Sequence, residues 1–373
     1  MEANNIKPKS NSNIVGWFAT GLGRILVSIF VPVLTFIVLW QGFLFLRNSN
    51  TPQIVLVIVA IIWGVGGVAL LFAVSNWVIE QLPEVWSRRL LPFVFVGPAL
   101  AILAWFLAIP TFRTLVDSFM DANSFNFVGL KNYVYAFTDP IMLEAFRNNL
   151  LWLIFGTSFS VGIGLLIAVL ADRSRFESVY KALIFMPMAI SFVGAGVIWK
   201  FVYSYSGVGS GIQQIGLMNA ILMAFGGAPQ AWLELAPWNN FFLIVIMIWL
   251  QTGYAMVILS SAIKGVPADL MEAARIDGST EIQAFFSIIV PYIQGTLITV
   301  TTTILIFSLK LFDIVRVMTG GNYGTNVIAN EFYLERFSYG DDGRAAAIAV
   351  VLLIAVIPVM IYNLRQFRES KAF

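Results

Sequence analysis

The sequence predicts an all-α polytopic membrane protein with about eight transmembrane helices. Composition is the first reason. Apolar residues make up 59% of the 373 residues and charged residues 11%, with a mean hydropathy of +0.85. A soluble domain carries about 25% charge. The second reason is a series of apolar runs, each near the roughly 20 residues a spanning helix needs. The third is an aromatic content of 14%, including 32 Phe, which suits lipid-facing surfaces and interfacial belts. The chain has no Cys and no His. Disulfides, thiol catalysis, imidazole bases and the commonest zinc ligands are excluded together. A net charge of +2 implies no nucleic-acid partner.

The first run, 24–46, follows a polar tail with Lys7 and Lys9. It is long and lacks a small-residue cleavage site, so it reads as a retained helix rather than a signal peptide. The others are 53–79, 90–116, 149–171, 180–203, 241–263, 292–318 and 345–364. Pro32, Pro98, Pro110, Pro187 and Pro358 lie in or near these runs. Membrane helices tolerate them because neighbours satisfy the freed carbonyls. Three longer segments, 117–148, 204–240 and 319–344, share one side. Within the second, 215–225 is apolar but too short to span, and reads as a surface or re-entrant helix. In the third, 330–337 reads as a short amphipathic helix. With a cytoplasmic N-terminus, thirteen Lys and Arg fall inside and eight outside, with Lys310 in a span. That bias has the sign the positive-inside rule requires and places both termini and the 264–290 loop in the cytoplasm.

The 264–290 loop is a polar island between two apolar stretches. Pro267 suits the first turn of a helix. Residues 268–277 favour helix, with Asp269 and Glu272 near its positive end. Leu270, Ala273, Ala274 and Asp277 share a face by spacing, and the alanines keep it slim. Gly278 can take the left-handed conformation that ends a helix. Thr280 and Gln283 form a capping box for the next. Two short helices around a glycine turn make a docking element for a soluble partner.

The stretch Glu272-Ala273-Ala274-Arg275-Ile276-Asp277-Gly278, with Ile288-Ile289-Val290-Pro291 after it, resembles the EAA loop of binding-protein-dependent ATP-binding-cassette (ABC) importers. The family usually has Leu where Val290 stands. Residues 181–187 with Gly196-Val197-Ile198-Trp199, and Phe312-Asp313-Ile314-Val315 leading to Thr319-Gly320-Gly321, are similar to the carbohydrate-import branch. The resemblance implies a type I importer core of six helices over 90–373, preceded by a tail and two added helices over 1–89. It implies that Glu272, Ala273, Ala274, Asp277 and Gly278 couple to an ATPase. It also implies two ATPase subunits, a second permease subunit, an extracytoplasmic solute-binding protein and a bacterial or archaeal cytoplasmic membrane. The segment from Gly321 and the Gly343-Arg344-Ala345 run look similar to permeases for α-glucosides and related glucosyl solutes.

The chain has no G-x-x-x-x-G-K-[ST] phosphate loop. ATP and Mg therefore belong to a partner, and no cofactor, metal site or catalytic residue is expected in this chain. Polar groups inside spans are costly and mark a pathway. Gln251 and Tyr254 offer a hydrogen-bonding group and a ring to a sugar, and the resemblance adds Leu250, Ser308 and Leu311. Asp313 stands three residues from Lys310, so the two either pair on one helix or serve the solute path. Thr299 to Thr303 can bond their own backbone. An ion-driven secondary transporter would lack the docking loop and show an ion-binding carboxylate in broken helices. A non-conducting assembly subunit is the other alternative.

The orientation has a direct test, because the chain has no native Cys. A single Cys at position 275 should react with an impermeant thiol reagent only in inverted vesicles; labelling in intact cells would reverse the topology.

Overall fold

A computed structural model describes residues 21–369 except 50, 81–83, 173, 208, 210 and 212. The polar tail, Arg173 and Lys371 lie outside the described residues. Helices α1 (Gly21–Asn48) and α2 (Gln53–Glu80) are followed by α3, which runs from Glu84–Leu103 through a π turn into Ile109–Asp117. Next come α4 (Lys131–Thr138) and α5, which joins Pro140–Leu151 through a π turn to Thr157–Asp172. Then follow α6 (Glu177–Phe185), α7 (Phe192–Val202), α8 (Leu217–Ala224) and α9 (Asn239–Lys264). The docking loop forms α10 (Ala268–Ile276) and α11 (Glu281–Ala284, extended by a π turn to Tyr292). The chain closes with α12 (Gln294–Leu309), α13 (Asp313–Met318), α14 (Ile328–Tyr333, with a π turn to Tyr339) and α15 (Asp342–Glu369).

Among the described residues, six helices are long and apolar enough to cross a membrane, or up to eight when each of two bent pairs counts as one span. The bends correct two expected straight spans. The 180–203 run turns by 102° between α6 and α7. Pro187 tightens the chain into a 3-10 turn, and Ser191 then caps α7 by accepting from the Gly194 N–H at 3.0 Å. The 292–318 run bends by 73° before α12, which stops at Leu309. A break at 310–312 follows, and Asp313 opens α13. The short helix expected over 215–225 is α8, and the one over 330–337 lies in α14. Two compact units divide the chain between Thr111 and Phe112, so most of α3 groups with α1 and α2.

In the second unit the core gathers around α9, which packs on α5, α6 and α12. Glycines set the distances. A Cβ on Gly164 of α5 would sit 2.6 Å from the Ala255 Cβ, and one on Gly253 of α9 would sit 2.5 Å from the Ile184 oxygen. Small residues of this kind let membrane helices approach backbone to backbone.

At the end of the bundle remote from the docking loop, asparagines close the structure. Asn148 Nδ2 donates to the Gly324 and Asn326 oxygens at 2.9 and 2.8 Å. Asn240 Nδ2 donates to Asn148 Oδ1 at 3.3 Å, and Asn239 Nδ2 to the Tyr323 oxygen at 2.6 Å. Asn149 Oδ1 accepts from the Ile328 N–H at 2.9 Å. Beside them Glu331 and Glu335 of α14 are buried. Burial pushes both carboxyls above the ordinary range, while Asn326 and the Tyr135 hydroxyl donate to Glu331.

Gly253→Val should lower the melting temperature of the detergent-solubilised chain, since overpacking costs about 1–3 kcal/mol. Gly64→Ala, where a Cβ meets nothing within 4 Å, is the matched control. Equal melting of Gly253→Val and wild type would show that the α6–α9 approach is slack.

Candidate functional site

Local chemistry builds the docking loop residue by residue. Pro267 stands at the N-cap of α10, one place before the first turn. At the other end the Ser279 N–H donates to the Ala274 oxygen at 2.9 Å and the Gly278 N–H to the Arg275 oxygen at 3.1 Å. This is the Schellman pattern, and Gly278 carries the positive φ of 80° that it requires. Thr280 and Gln283 make the full capping box of α11. Arg275 and Glu281 pair across the turn at 3.1 Å.

The loop has an inner and an outer side. Met271, Ala274, Ala284, Phe285 and Ile289 turn toward the body of the chain. Ala274 therefore does not share the outward face expected for it with Leu270, Ala273 and Asp277. In α10 it lies one turn from Met271, and both pack inward. Glu272, Ala273, Asp277 and Gly278 are exposed. So are large apolar side chains that the sequence reading passed over: Ile276 is 85% exposed, Ile282 72% and Phe286 65%. Their signal was plain, since each is an apolar residue inside a polar loop. The result is a ridge of exposed apolar side chains with exposed carboxylates beside it.

Charges brace the base of this ridge. Lys181 of α6 bonds Asp172 of α5, Ser260 of α9 and, at 2.6 Å, Glu177. Ser260 Oγ donates to Asp172 Oδ1 at 2.7 Å, and Lys264 of α9 reaches Glu177. Three helices are thus fastened beside the turn from α9 into α10. Sequence reasoning did not connect these groups, because their partners lie as many as 88 residues apart.

The pathway candidates fall into two sets. Leu250, Ser308 and Leu311 are buried within the chain, and Gln251 is only 4% exposed. The Gln251 side chain makes no hydrogen bond among the described residues, and the buried Ser308 hydroxyl has no partner. Tyr254 and Asp313 are half-buried at the edge of the core. Lys310 and Asp313 do not share a helix, since the break at 310–312 separates them, and no ion pair joins them. Thr299, Thr301, Thr302 and Thr303 all donate to carbonyls of their own helix.

Comparison with known proteins gives this geometry its context. Residues 160–369 match the family model for the binding-protein-dependent transport system inner membrane component. The osmoprotective compounds uptake permease protein GgtC of Synechocystis sp. is 57% identical over 278 residues, covering 74% of this chain and 99% of the relative. The alpha-glucoside transport system permease protein AglF of Rhizobium meliloti is 50% identical over 286 residues, covering 76% and 84%. The crystal structure of a bacterial ABC transporter involved in the import of alginate shares the fold, with a TM-score of 0.66 at 20% identity, over 77% of this chain and 99% of that one. The capped loop, the multi-pass helical body and these matches agree: the chain belongs to the binding-protein-dependent transport system inner membrane component family, as a membrane-spanning permease subunit of an ABC importer and not itself an enzyme.

Proposed function

We propose that this chain is one half of the translocation pathway of an ATP-driven importer for a sugar or glucosyl solute, in the bacterial or archaeal inner membrane. A second permease subunit completes the pore. Two ATPase subunits dock on the cytoplasmic side, and an extracytoplasmic solute-binding protein delivers the solute. Both termini are cytoplasmic, and the helices after residue 90 form the six-helix core. The observation that carries the reading is the outward ridge of α10 and α11, locked by a Schellman turn and a capping box and braced by the Lys181 cluster. The names of the two relatives support the solute class, one an alpha-glucoside permease and the other a permease for osmoprotective compounds.

In this mechanism the ATPase cleft grips Glu272, Ala273, Asp277 and Gly278, together with Ile276, Ile282 and Phe286. Closure of the ATPases on ATP displaces the ridge, and α9 carries the displacement inward. A neutral solute would find the Tyr254 ring on the open side of α9, with the Gln251 amide one turn away on the same helix. Leu250, Ser308 and Leu311 shape that wall from within, and Asp313 stands at the α12–α13 break.

A Cβ at Gly278 meets nothing within 4 Å, so a substitution there acts through backbone conformation. Gly278→Val should place a β-branched residue at positive φ and abolish most uptake without blocking insertion. Gly278→Asn, which tolerates that region, should retain it. Wild-type uptake and ATPase association in both Gly278→Val and Glu272→Lys would remove the coupling role.

Tyr254→Ala and Gln251→Ala should weaken uptake with ATPase docking intact. A hydrogen bond to a neutral ligand contributes about 0.5–1.5 kcal/mol, so each change should cost up to roughly tenfold. Uptake measured beside ATP hydrolysis stimulated by the loaded binding protein separates the two effects. Unchanged uptake in both variants would leave this chain as an assembly subunit with the solute site on its partner.

A further inference from the structure

The charge cluster beside the docking loop is centred on one ammonium group. Lys181 stands in the middle of α6 and donates to the last residue of α5, Asp172, to the Ser260 hydroxyl of α9 and to the first residue of its own helix, Glu177. The centre is largely enclosed, with the Lys181 side chain 18% exposed and that of Asp172 13%. Asp172 Oδ2 has no partner among the described residues, and Lys181 supplies the counter-charge to Oδ1. The tie is doubled at its edge, where Lys264, the last residue of α9, reaches Glu177. Lys181 and Lys264 together hold the Glu177 carboxyl down to about 2, so it stays ionised at neutral pH.

The geometry of α6 gives these bonds a consequence. Further along the helix, Ile184 meets α9 at Gly253. That contact brings the two backbones close but has no direction of its own. Charge-assisted bonds are directional and about twice as strong as neutral ones, so the cluster fixes α6 against α5 and α9 both in rotation and along the axis. Past its end the chain turns through the Pro187 bend into α7. Helix α7 lies against α13, where a Cβ on Gly196 would sit 2.8 Å from Val317 Cγ1. A tie at Lys181 therefore links the base of α9 to the helix that opens at Asp313.

We propose that Lys181 is a positioning residue for transport: it makes α6 follow α9, so that a displacement starting at the docking ridge enters the core at the Pro187–Ser191 bend as well as along α9. The inference rests on the coupling role of the ridge. It differs from a static brace in requiring the bonds to hold while the ATPases close.

The test measures distances between spin labels at positions 180 on α6 and 258 on α9 of the assembled importer, with and without ATP. Both native side chains are exposed. Removing Lys181 alone strands the Asp172 charge and threatens the fold. The informative variant is the neutral pair Asp172→Asn with Lys181→Met. Ser260→Ala, which cuts one bond between α6 and α9 and strands no charge, is the second. The wild type should give the same distance in both states. In the neutral pair the distance should shift when ATP is added, and in Ser260→Ala it should shift less. A wild-type distance that changes with ATP overturns the proposal. So do variants whose distance is the same in both states, including one displaced equally with and without ATP, the result expected of a static brace. Failure of the ridge reading itself shows elsewhere, as an ATP-dependent distance between positions 258 and 270 with that between 180 and 258 constant.

Discussion

The close approach of α9 to α5 and α6 is the constraint on which the rest of the second unit depends. Gly164 and Gly253 remove the side chains that would hold these helices apart. Without a hydrophobic force between helices in lipid, packing at such short range supplies the association. The consequence is a central helix that is buried on several sides and cannot shift alone. It carries Leu250, Gln251 and Tyr254 along its length and ends at Lys264, three residues before the N-cap of the docking helix. A rigid element therefore connects the ridge to the residues proposed to meet the solute.

Both ends of this element are tied, by different chemistry. Near the docking loop the ties are charged: Lys181, Lys264, Asp172 and Glu177 with Ser260. At the far end they are neutral amides, with Asn148, Asn149, Asn239 and Asn240 bonding backbone groups of the 323–328 segment. The amides satisfy the carbonyls of a compact, irregular loop that would otherwise be buried without partners. The interior candidates are the reverse case. The Ser308 hydroxyl lacks a partner in the middle of the core, which is costly for a structural role and compatible with a ligand or water supplying the missing bond.

The parts legible in the sequence were those governed by local chemistry. Pro267, Gly278, Thr280 and Gln283 specify caps and turns through their neighbours within a few residues, and α10 and α11 follow the expectation closely. The apolar runs located the spanning helices because burial in lipid needs only length and hydropathy. Bends were hidden for the same reason. An apolar average across 180–203 does not register Pro187 followed by the capping Ser191, and the run 292–318 conceals the break before Asp313. The inward turn of Ala274 and the burial of Leu250 and Leu311 depend on which neighbours cover each face, and three-residue spacing carries no such information. Asn148-Asn149 and Asn239-Asn240 were a readable signal, since paired amides beside apolar runs need partners.

The central claim is that α9 and the ridge move as one body when the ATPases close. Distances between spin labels at positions 258 and 270 of the assembled importer, with and without ATP, test it directly. Both native side chains are exposed, so the labels leave the core intact. The account predicts the same distance in both states. A distance that changes with ATP would show that α10 swings independently of α9, and that coupling reaches the pathway by another route.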